Sequence, residues 1–299
     1  MIVGILGENP RSEALATLIA NAGHIPKIGK EPSTNTPIRG FQGTQQWSHL
    51  TAEADLIVMT ANSMEMANHI QKACLRPRNQ VLVFPGIESL TGQWMSNYVQ
   101  QSSNAIRTGV LNGSISLDDI KQDRPTALVI GSTYNSIGHL GQALFHSDIC
   151  RVYYSNDPLG IEIASIFTNV VHFAIGIADQ FNKGTATIGA VSSRGLIEGA
   201  RLAEILGADE HSFLGLSGVG SIVSDMRTAA AYHEGRTHSK QSPMNEILLS
   251  EFQHLLELNK AHPQSVDLPL TEAMVAIGLG TIDPEIVMDK LIRRKATAE

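Results

Sequence analysis

The first thirty residues pair a short apolar run with a helix-like segment, and this pairing recurs along the first half of the chain. Residues 2–6 are a β-branched strand candidate ending at Gly7, and residues 12–22 place small and aliphatic side chains on one helical face. Gly23 then stands where a helix favours a residue with positive φ. Further strands are predicted at residues 24–28, 56–60, 81–84, 127–130 and 151–154, with a helix near 64–74. Strands separated by helices predict a parallel sheet with both faces covered.

The pattern changes after about Asp157. Residues 160–206 have helical periodicity with almost no strand signal, and further helix starts are indicated near residues 210 and 270. We therefore predict two domains: an α/β domain of the dinucleotide-binding (Rossmann-like) type over residues 1–156, and an all-α domain over residues 157–299. The polar segment 234–243 is predicted to be an exposed loop.

Charge and cysteine content narrow the classes of partner. Lys and Arg number 22 against 29 Asp and Glu, a formal net charge of −7, and the first basic run is at residues 293–295. We therefore expect no nucleic-acid or anionic-membrane partner. Two cysteines do not make a disulfide framework. The start of the chain lacks the features of a signal peptide, and the most apolar stretch, residues 170–178, is far shorter than a membrane span. The expected location is the cytoplasm.

The turn after the first strand is the place where a dinucleotide-binding fold carries Gly-x-Gly-x-x-Gly. Here only Gly7 is retained, with Asn9 and Ser12 at the second and third positions. Asn tolerates positive φ, so the turn can survive, and Ser12 is small enough for helix packing and could cap the helix. Glu8 would compete with a phosphate for the helix N-terminus, whereas Arg11 could pair with one.

Charged residues follow the second strand, where such folds recognise the ribose. Lys30 could meet a 2′-phosphate and Glu31 a 2′-hydroxyl, or both could be solvated loop charges. The candidate cofactor-binding residues are Gly7, Asn9, Arg11, Ser12 and Lys30, and the cofactor they would hold is NAD or NADP. The choice between the two stays open.

The middle of the chain carries a series of motifs in a fixed order: SNDPLGIEIASIFTNV (155–170), GIAD (176–179), SRGLIEGAR (193–201), LGAD (206–209) and FLGLSGVG (213–220). Shorter matches are PTA (125–127), GIE (86–88) and DLPL (267–270). In these motifs the chain resembles bacterial NAD(P)-dependent glycerol-3-phosphate dehydrogenases. The resemblance implies a two-domain architecture like that of 6-phosphogluconate dehydrogenase. It also implies hydride transfer between the nicotinamide and C2 of glycerol 3-phosphate or dihydroxyacetone phosphate.

The resemblance also marks where the family's charged site residues would fall. Its acid–base lysine precedes the retained Asn169, and this chain has Thr168 there. A second lysine precedes Gly86, where this chain has Pro85, and the carboxylate after the Gly-Leu-Gly motif becomes Ser221. The Arg-Asn pair that binds substrate phosphate falls near Ala230 and Ala231, within a neutral alanine run beginning at residue 229. Loss of general acid–base catalysis alone typically costs about 10²–10⁴ in rate.

His172 lies four residues after Thr168, so the two would share a helical face. Together with Asn169 and Ser221 they are the candidate catalytic residues, with Thr168 as hydrogen-bond donor and His172 as acid. The alternative is a half-buried histidine in an apolar helix. A second acid–base couple, Asp225 with His233, has no fixed geometry from its spacing, and no metal site is predicted.

Three functions remain open at this point. The first is a divergent family member that has lost the ordinary reaction and binds, senses or regulates. The second is an active NAD(P)-dependent oxidoreductase, acting on glycerol 3-phosphate or dihydroxyacetone phosphate or on an altered small hydroxy or keto substrate. The third is an interaction module whose helical domain forms a homodimer. In the first two a small-molecule ligand is the expected partner.

Overall fold

An eight-stranded sheet in the order β3-β2-β1-β4-β5-β6-β7-β8 organises the first part of the molecule. The computed structural model describes residues 1–30 and 45–292, with side chains described for 1–29 and 46–288. The strands are β1 (Ile2–Leu6), β2 (Ile25–Lys30), β3 (Gln45–Gln46), β4 (Leu56–Met59), β5 (Gln80–Val83), β6 (Arg107–Gly113), β7 (Thr126–Gly131) and β8 (Cys150–Ser155). The chain divides into two compact units, Met1–Glu162 and Ile163–Glu299.

Helices of the first unit cover the sheet on both faces. They are α1 (Pro10–Asn21), α2 (Trp47–Glu53), α3 (Met66–Ala73), α4 (Met95–Ser102), α5 (Leu117–Lys121) and α6 (Asn135–Phe145). Val3, Ile5 and Val58 pack in one core cluster with side chains of α1, α5 and α6. Ile57 and Met59 alternate to the other face and pack with α2, α3 and α4. The prediction of a sheet buried on both faces is confirmed.

The prediction of a wholly parallel sheet is wrong at one strand pair, because β6 was missed and pairs antiparallel with β7. All other neighbouring strands are parallel. Glycines interrupt the apolar run that would otherwise mark β6 as a strand. A Cβ on Gly109 would lie 2.9 Å from the Gly131 carbonyl oxygen, and Gly113 adopts φ +143°. The close approach of β7 therefore requires residues that carry no strand signal.

The second unit is helical in its described part, as predicted. Its helices are the remainder of α7 (Pro158–Gln180), α8 (Thr185–Ile205), α9 (Ser221–Asp225), α10 (Ala230–Thr237), α11 (Glu246–Ala261), α12 (Pro269–Gly278) and α13 (Pro284–Ile292). The helix starts expected near 210 and 270 are a 3₁₀ turn, Glu210–Leu214, and α12. The exposed loop expected at 234–243 is wrong in its first part, because α10 continues to Thr237 and His238 is only 2% exposed.

Helix α7 is 23 residues long and rich in apolar side chains. An 18-residue window within it has a mean hydropathy of 1.7, so by length and composition the helix could cross a membrane. The expectation of a short apolar stretch concerned residues 170–178 alone, and the helix that contains them is longer. However, 89% of that window is buried inside the protein, which is typical of a core helix. The predicted domain boundary after residue 156 falls just before α7, whereas the division between the compact units falls inside it.

Candidate functional site

The turn between β1 and α1 depends on glycine at residue 7. Gly7 adopts φ +132°, and a Cβ built on it would lie 2.2 Å from the Thr60 hydroxyl oxygen. A side chain at this position would both strain the backbone and collide with the residue that follows β4. The backbone conformation and the close contact with Thr60 therefore require glycine at this position, whether or not a cofactor binds.

Asn9, rather than Ser12, caps helix α1. The Asn9 side-chain oxygen accepts a hydrogen bond of 3.0 Å from the backbone N–H of Ser12, and Pro10 is the first helical residue. The expectation that Ser12 caps the helix is therefore wrong, because proline favours the first helical position and places Asn9 one residue before it. Asn9 also has an extended backbone at φ −149° instead of the positive φ that its tolerance suggested.

The Asn9 side chain is held in a polar cluster with Ser12 and Thr60. Its amide Nδ2 donates to the Thr60 carbonyl oxygen at 3.2 Å and to the Thr60 hydroxyl at 3.1 Å. The Ser12 hydroxyl lies 2.9 Å from the Thr60 hydroxyl, which in turn donates to the Leu6 carbonyl oxygen. The turn is closed by hydrogen bonds within the chain.

The charged residues around this turn are exposed. The Arg11 guanidinium carbon lies 4.2 Å from the centre of the Phe84 ring, a cation–π arrangement at the end of β5. Glu8 is exposed, but the neutral amide of Asn9 takes the capping position. Lys30 is the last residue of β2, and its side chain lies outside the described part of the chain. The whole of Glu31 lies outside it as well. Their predicted contacts with a ribose stay predictions.

A pyrophosphate at the start of a helix accepts hydrogen bonds from the backbone N–H groups of the first turn. In α1, Pro10 has no N–H, and the N–H of Ser12 is already bonded to Asn9. Two of the first three backbone positions therefore offer no donor to a phosphate. The residues of this turn do not fit a dinucleotide bound in the usual way for this fold.

In the second unit, α7 places Thr168 and His172 one turn apart, as their spacing predicted. Thr168 is 3% exposed, and its hydroxyl donates a hydrogen bond of 2.7 Å to the Ser165 carbonyl oxygen. Asn169 beside it is half-buried. The threonine hydroxyl is therefore already used within its own helix.

His172 is 1% exposed, so the half-buried alternative underestimates its burial. Neither ring nitrogen has a hydrogen-bond partner of good geometry among the described residues. Burial lowers the pKa of His172, while the Asp225 carboxylate and the backbone of Ile222 and Ser221 act in the opposite direction. Because burial is the largest of these effects, the imidazole is neutral at pH 7.

The Asp225 carboxylate raises the pKa of His172, against the larger effect of burial. His233 is exposed and lies against the Tyr232 ring, with the ring centres 5.4 Å apart. Asp179 in α7 accepts hydrogen bonds from the Tyr232 hydroxyl at 3.0 Å and from Arg227 Nε at 3.3 Å. The sequence gives one signal for the contact of Asp179 with Tyr232 and Arg227, because Asp179 is the last residue of the GIAD motif (176–179).

The other positions marked by the resemblance carry neutral residues. Pro85 is half-buried after β5, Ser221 is half-buried at the start of α9, and Ala230 and Ala231 begin α10. Immediately before Ser221, the segment Leu216–Gly220 forms one π-helical turn. Ser217 in this turn is buried, and its hydroxyl has no hydrogen-bond partner among the described residues. Single π turns occur frequently at functional sites, and this one borders the backbone that faces His172.

A groove of about 430 Å³ lies in the second unit between α8 and the region around α9. Its lining is mainly apolar, with Ile188, Leu196 and Ile222 among the larger side chains, and Arg227 is the charged residue on it. This volume is in the range of small-molecule sites. Among the described residues, no group of three or more His, Cys, Asp or Glu side chains could hold a metal ion.

The two units together define a class of protein: a dinucleotide-type α/β unit followed by a helical unit. A family model described as "NAD-dependent glycerol-3-phosphate dehydrogenase C-terminus" matches residues 157–289. A glycerol-3-phosphate dehydrogenase (NAD(P)+) of Methylibium petroleiphilum is 31% identical over 263 residues, covering 84% of this chain and 78% of the relative. The enzyme of the same name from Streptomyces griseus is 26% identical over 96% of this chain and 88% of its own.

A solved structure of glycerol-3-phosphate dehydrogenase from Coxiella burnetii has the same fold. Its TM-score is 0.83 at 19% identity, with 98% of this chain and 99% of that chain covered. The chain belongs to the NAD(P)-dependent glycerol-3-phosphate dehydrogenase family.

Proposed function

We propose that this protein is a ligand-binding member of the family that does not carry out the ordinary reduction of dihydroxyacetone phosphate. The proposal rests on the identity, burial and hydrogen bonding of Thr168. Where the resemblance implies an acid–base lysine, the chain has a buried threonine whose hydroxyl is bonded to Ser165 of its own helix. A threonine hydroxyl does not titrate near neutral pH, so it cannot exchange a proton with the substrate as a lysine does.

The size of the expected loss follows from what the site lacks. General acid–base catalysis contributes about 10²–10⁴ in rate, and one electrostatic donor about 10²–10³ more. His172, which could replace the lysine, is held neutral by burial. The neutral run at Ala230 and Ala231 removes the phosphate-binding charge, so substrate affinity falls together with rate.

We further propose that the retained role is binding of a small-molecule ligand in the cytoplasm, with a sensing or regulatory outcome. The groove beside α8 has the volume for such a ligand, and NAD or NADP is the cofactor that family membership implies. Exposed Val223, which lines this groove, and exposed Leu214 favour a homodimer through the helical unit.

The deciding experiment measures dihydroxyacetone phosphate reduction with NADH and with NADPH. We expect no turnover at ordinary enzyme rates, which are about 1–10³ s⁻¹. The double variant Thr168→Lys with Ser221→Asp restores two charged groups and is expected to gain measurable rate. Ala186→Lys, which adds a lysine at an exposed position of α8, is the matched control and should gain none. Turnover by the unmodified protein at ordinary rates would refute the proposal.

A second candidate is an oxidoreductase for an altered hydroxy or keto substrate, with His172 as proton donor. Its support is the Asp225 carboxylate, which raises the pKa of the imidazole against the effect of burial. This candidate requires that His172→Gln abolishes activity and that Asp225→Asn shifts the pH profile of kcat to lower pH. If a panel of small keto acids and aldehydes yields no nicotinamide oxidation, this candidate fails.

A further inference from the structure

The start of helix α1 differs from a phosphate-binding helix start in that a side chain of the chain itself accepts the available hydrogen bonds. The Asn9 carboxamide oxygen receives the Ser12 N–H at 3.0 Å, and the Asn9 carbonyl oxygen receives the same N–H at 2.9 Å. A phosphate oxygen at a helix N-terminus would accept from this same donor. The Asn9 side chain therefore stands where a phosphate oxygen would.

The Asn9 side chain is also anchored from the opposite side. Its Nδ2 donates to both the carbonyl and the hydroxyl oxygen of Thr60, and the Ser12 hydroxyl contacts Asn9 Oδ1 at 3.2 Å. To leave the helix start, the amide would have to break its cap and both bonds to Thr60 together. A ligand that needs this space must offset that loss before it gains any affinity.

Two acidic residues next to the turn act in the same direction. Glu8 is exposed directly before Asn9, and Glu13 lies in the first turn of α1. Two carboxylates this close to the helix start disfavour a diphosphate, which carries negative charge itself. Arg11 is the nearby cation, and its guanidinium lies over the Phe84 ring.

We infer that Asn9 is a selectivity residue that lowers the affinity of the α/β unit for pyrophosphate-containing nucleotides, NADH and NADPH included, by occupying the helix start in place of the phosphate. The inference deepens the proposed function, since it explains weak cofactor binding in a retained dinucleotide-type fold. It concerns nucleotide binding alone. The binding inference can therefore fail while the proposal about turnover holds, and the proposal about turnover can fail while the binding inference holds.

Titration calorimetry with NADH on the full chain tests it, with Asn9→Gly as the first variant. Removing the side chain leaves the Ser12 N–H bonded to the backbone carbonyl oxygen of residue 9 alone and empties the space that the amide fills. We expect the Kd for NADH to fall at least tenfold, which corresponds to about 1.4 kcal/mol. ADP-ribose, which keeps the pyrophosphate without the nicotinamide, should gain by a similar factor. Adenosine has no phosphate, and its binding should not change.

The matched control is Asn245→Gly. Asn245 caps α11 in the same way, accepting from Ile247 N and Leu248 N, so the variant loses an equivalent helix cap far from α1 in sequence. It should leave NADH binding unchanged. If Asn9→Gly does not fold, Asn9→Ala is the second variant, because the extended backbone at residue 9 accepts alanine.

Four results would overturn the inference. One is tight NADH binding by the unmodified protein, equal to that of Asn9→Gly. A second is an equal gain for adenosine, which would mean that the change acts away from the phosphates. A third is an equal gain in Asn245→Gly. The last is a lack of NADH binding by both residue-9 variants at millimolar concentration, which would mean that other residues exclude the nucleotide.

Discussion

Raising the pH from 5 to 8 is expected to destabilise the helical unit, because a fully buried carboxyl group must then ionise. Glu198 in α8 is 0% exposed, and burial raises its pKa from 4.5 to about 7. Its carboxylate oxygens accept from Leu270 N at 2.8 Å and from Thr271 N at 3.2 Å, and these bonds oppose the rise. Since burial is the larger effect, the folded protein holds a proton there that the unfolded chain has already released.

The sign and size of the effect follow from the two pKa values. Between pH 4.5 and about 7 the folded state binds more protons than the unfolded state, so the free energy of unfolding falls as the pH rises and then levels off. A pKa difference of this size corresponds to about 3 kcal/mol, at about 1.4 kcal/mol for each pH unit. In Glu198→Gln the ionisation is removed, and this part of the pH dependence should disappear.

Denaturant unfolding at pH 5, 6, 7 and 8, followed by helix circular dichroism, measures the difference between the two proteins. Glu162→Gln is the matched variant in the first unit, because burial raises the pKa of Glu162 to about 7 as well. Trp47 and Trp94 are the two tryptophans and both lie in the first unit, so their fluorescence follows that unit separately. If Glu198→Gln keeps the same slope with pH as the unmodified protein, burial does not control this carboxyl and the reasoning fails.

Three further substitutions, one of them with a matched control, test packing in the two units by equilibrium unfolding. Gly176→Ala should destabilise the protein by about 1–3 kcal/mol, because the added Cβ would lie 2.2 Å from the Tyr232 carbonyl oxygen. The control is Gly189→Ala, whose added Cβ meets nothing within 4 Å, and it should be neutral or stabilising. His172→Leu should stabilise by about 1 kcal/mol, since it removes buried ring nitrogens without partners among the described residues, and a destabilisation above 1 kcal/mol would contradict this. Thr60→Val should cost about 1–3 kcal/mol in the fluorescence-detected transition, because the Asn9 cluster loses its shared hydroxyl; an unchanged midpoint would mean that the cluster contributes nothing.

Several helices could be predicted from the sequence because their signals are local. The apolar spacing of α1 and the glycine after it specify a helix and its end, and Gly23 indeed adopts φ +80°. The cap was misplaced although its signal is also local. Pro10 favours the first helical position, and this preference selects Asn9 over Ser12.

The parts that the sequence did not predict depend on tertiary contacts. Strand β6 carries glycine where β7 approaches closely, so its apolar run is too short to detect. The electrostatic effect of Asp225 on His172 joins residues on separate helices, and the sequence spacing of Asp225 gave no fixed geometry with any histidine. The positions of the neutral residues were visible in the sequence, whereas the burial of His172 and the bond from Thr168 to Ser165 required the fold.

The contact of Glu198 with the start of α12 also bears on the order of folding. Leu268, the residue before α12, makes no side-chain cap, and the first free N–H groups of the helix are instead bonded to a carboxyl 72 residues earlier in the chain. Because a helix of this length is marginal on its own, α12 gains its defined start only once α8 is in place. The start of α12 thus depends on a non-local contact, and a fragment that begins after α8 would lack the group that starts this helix.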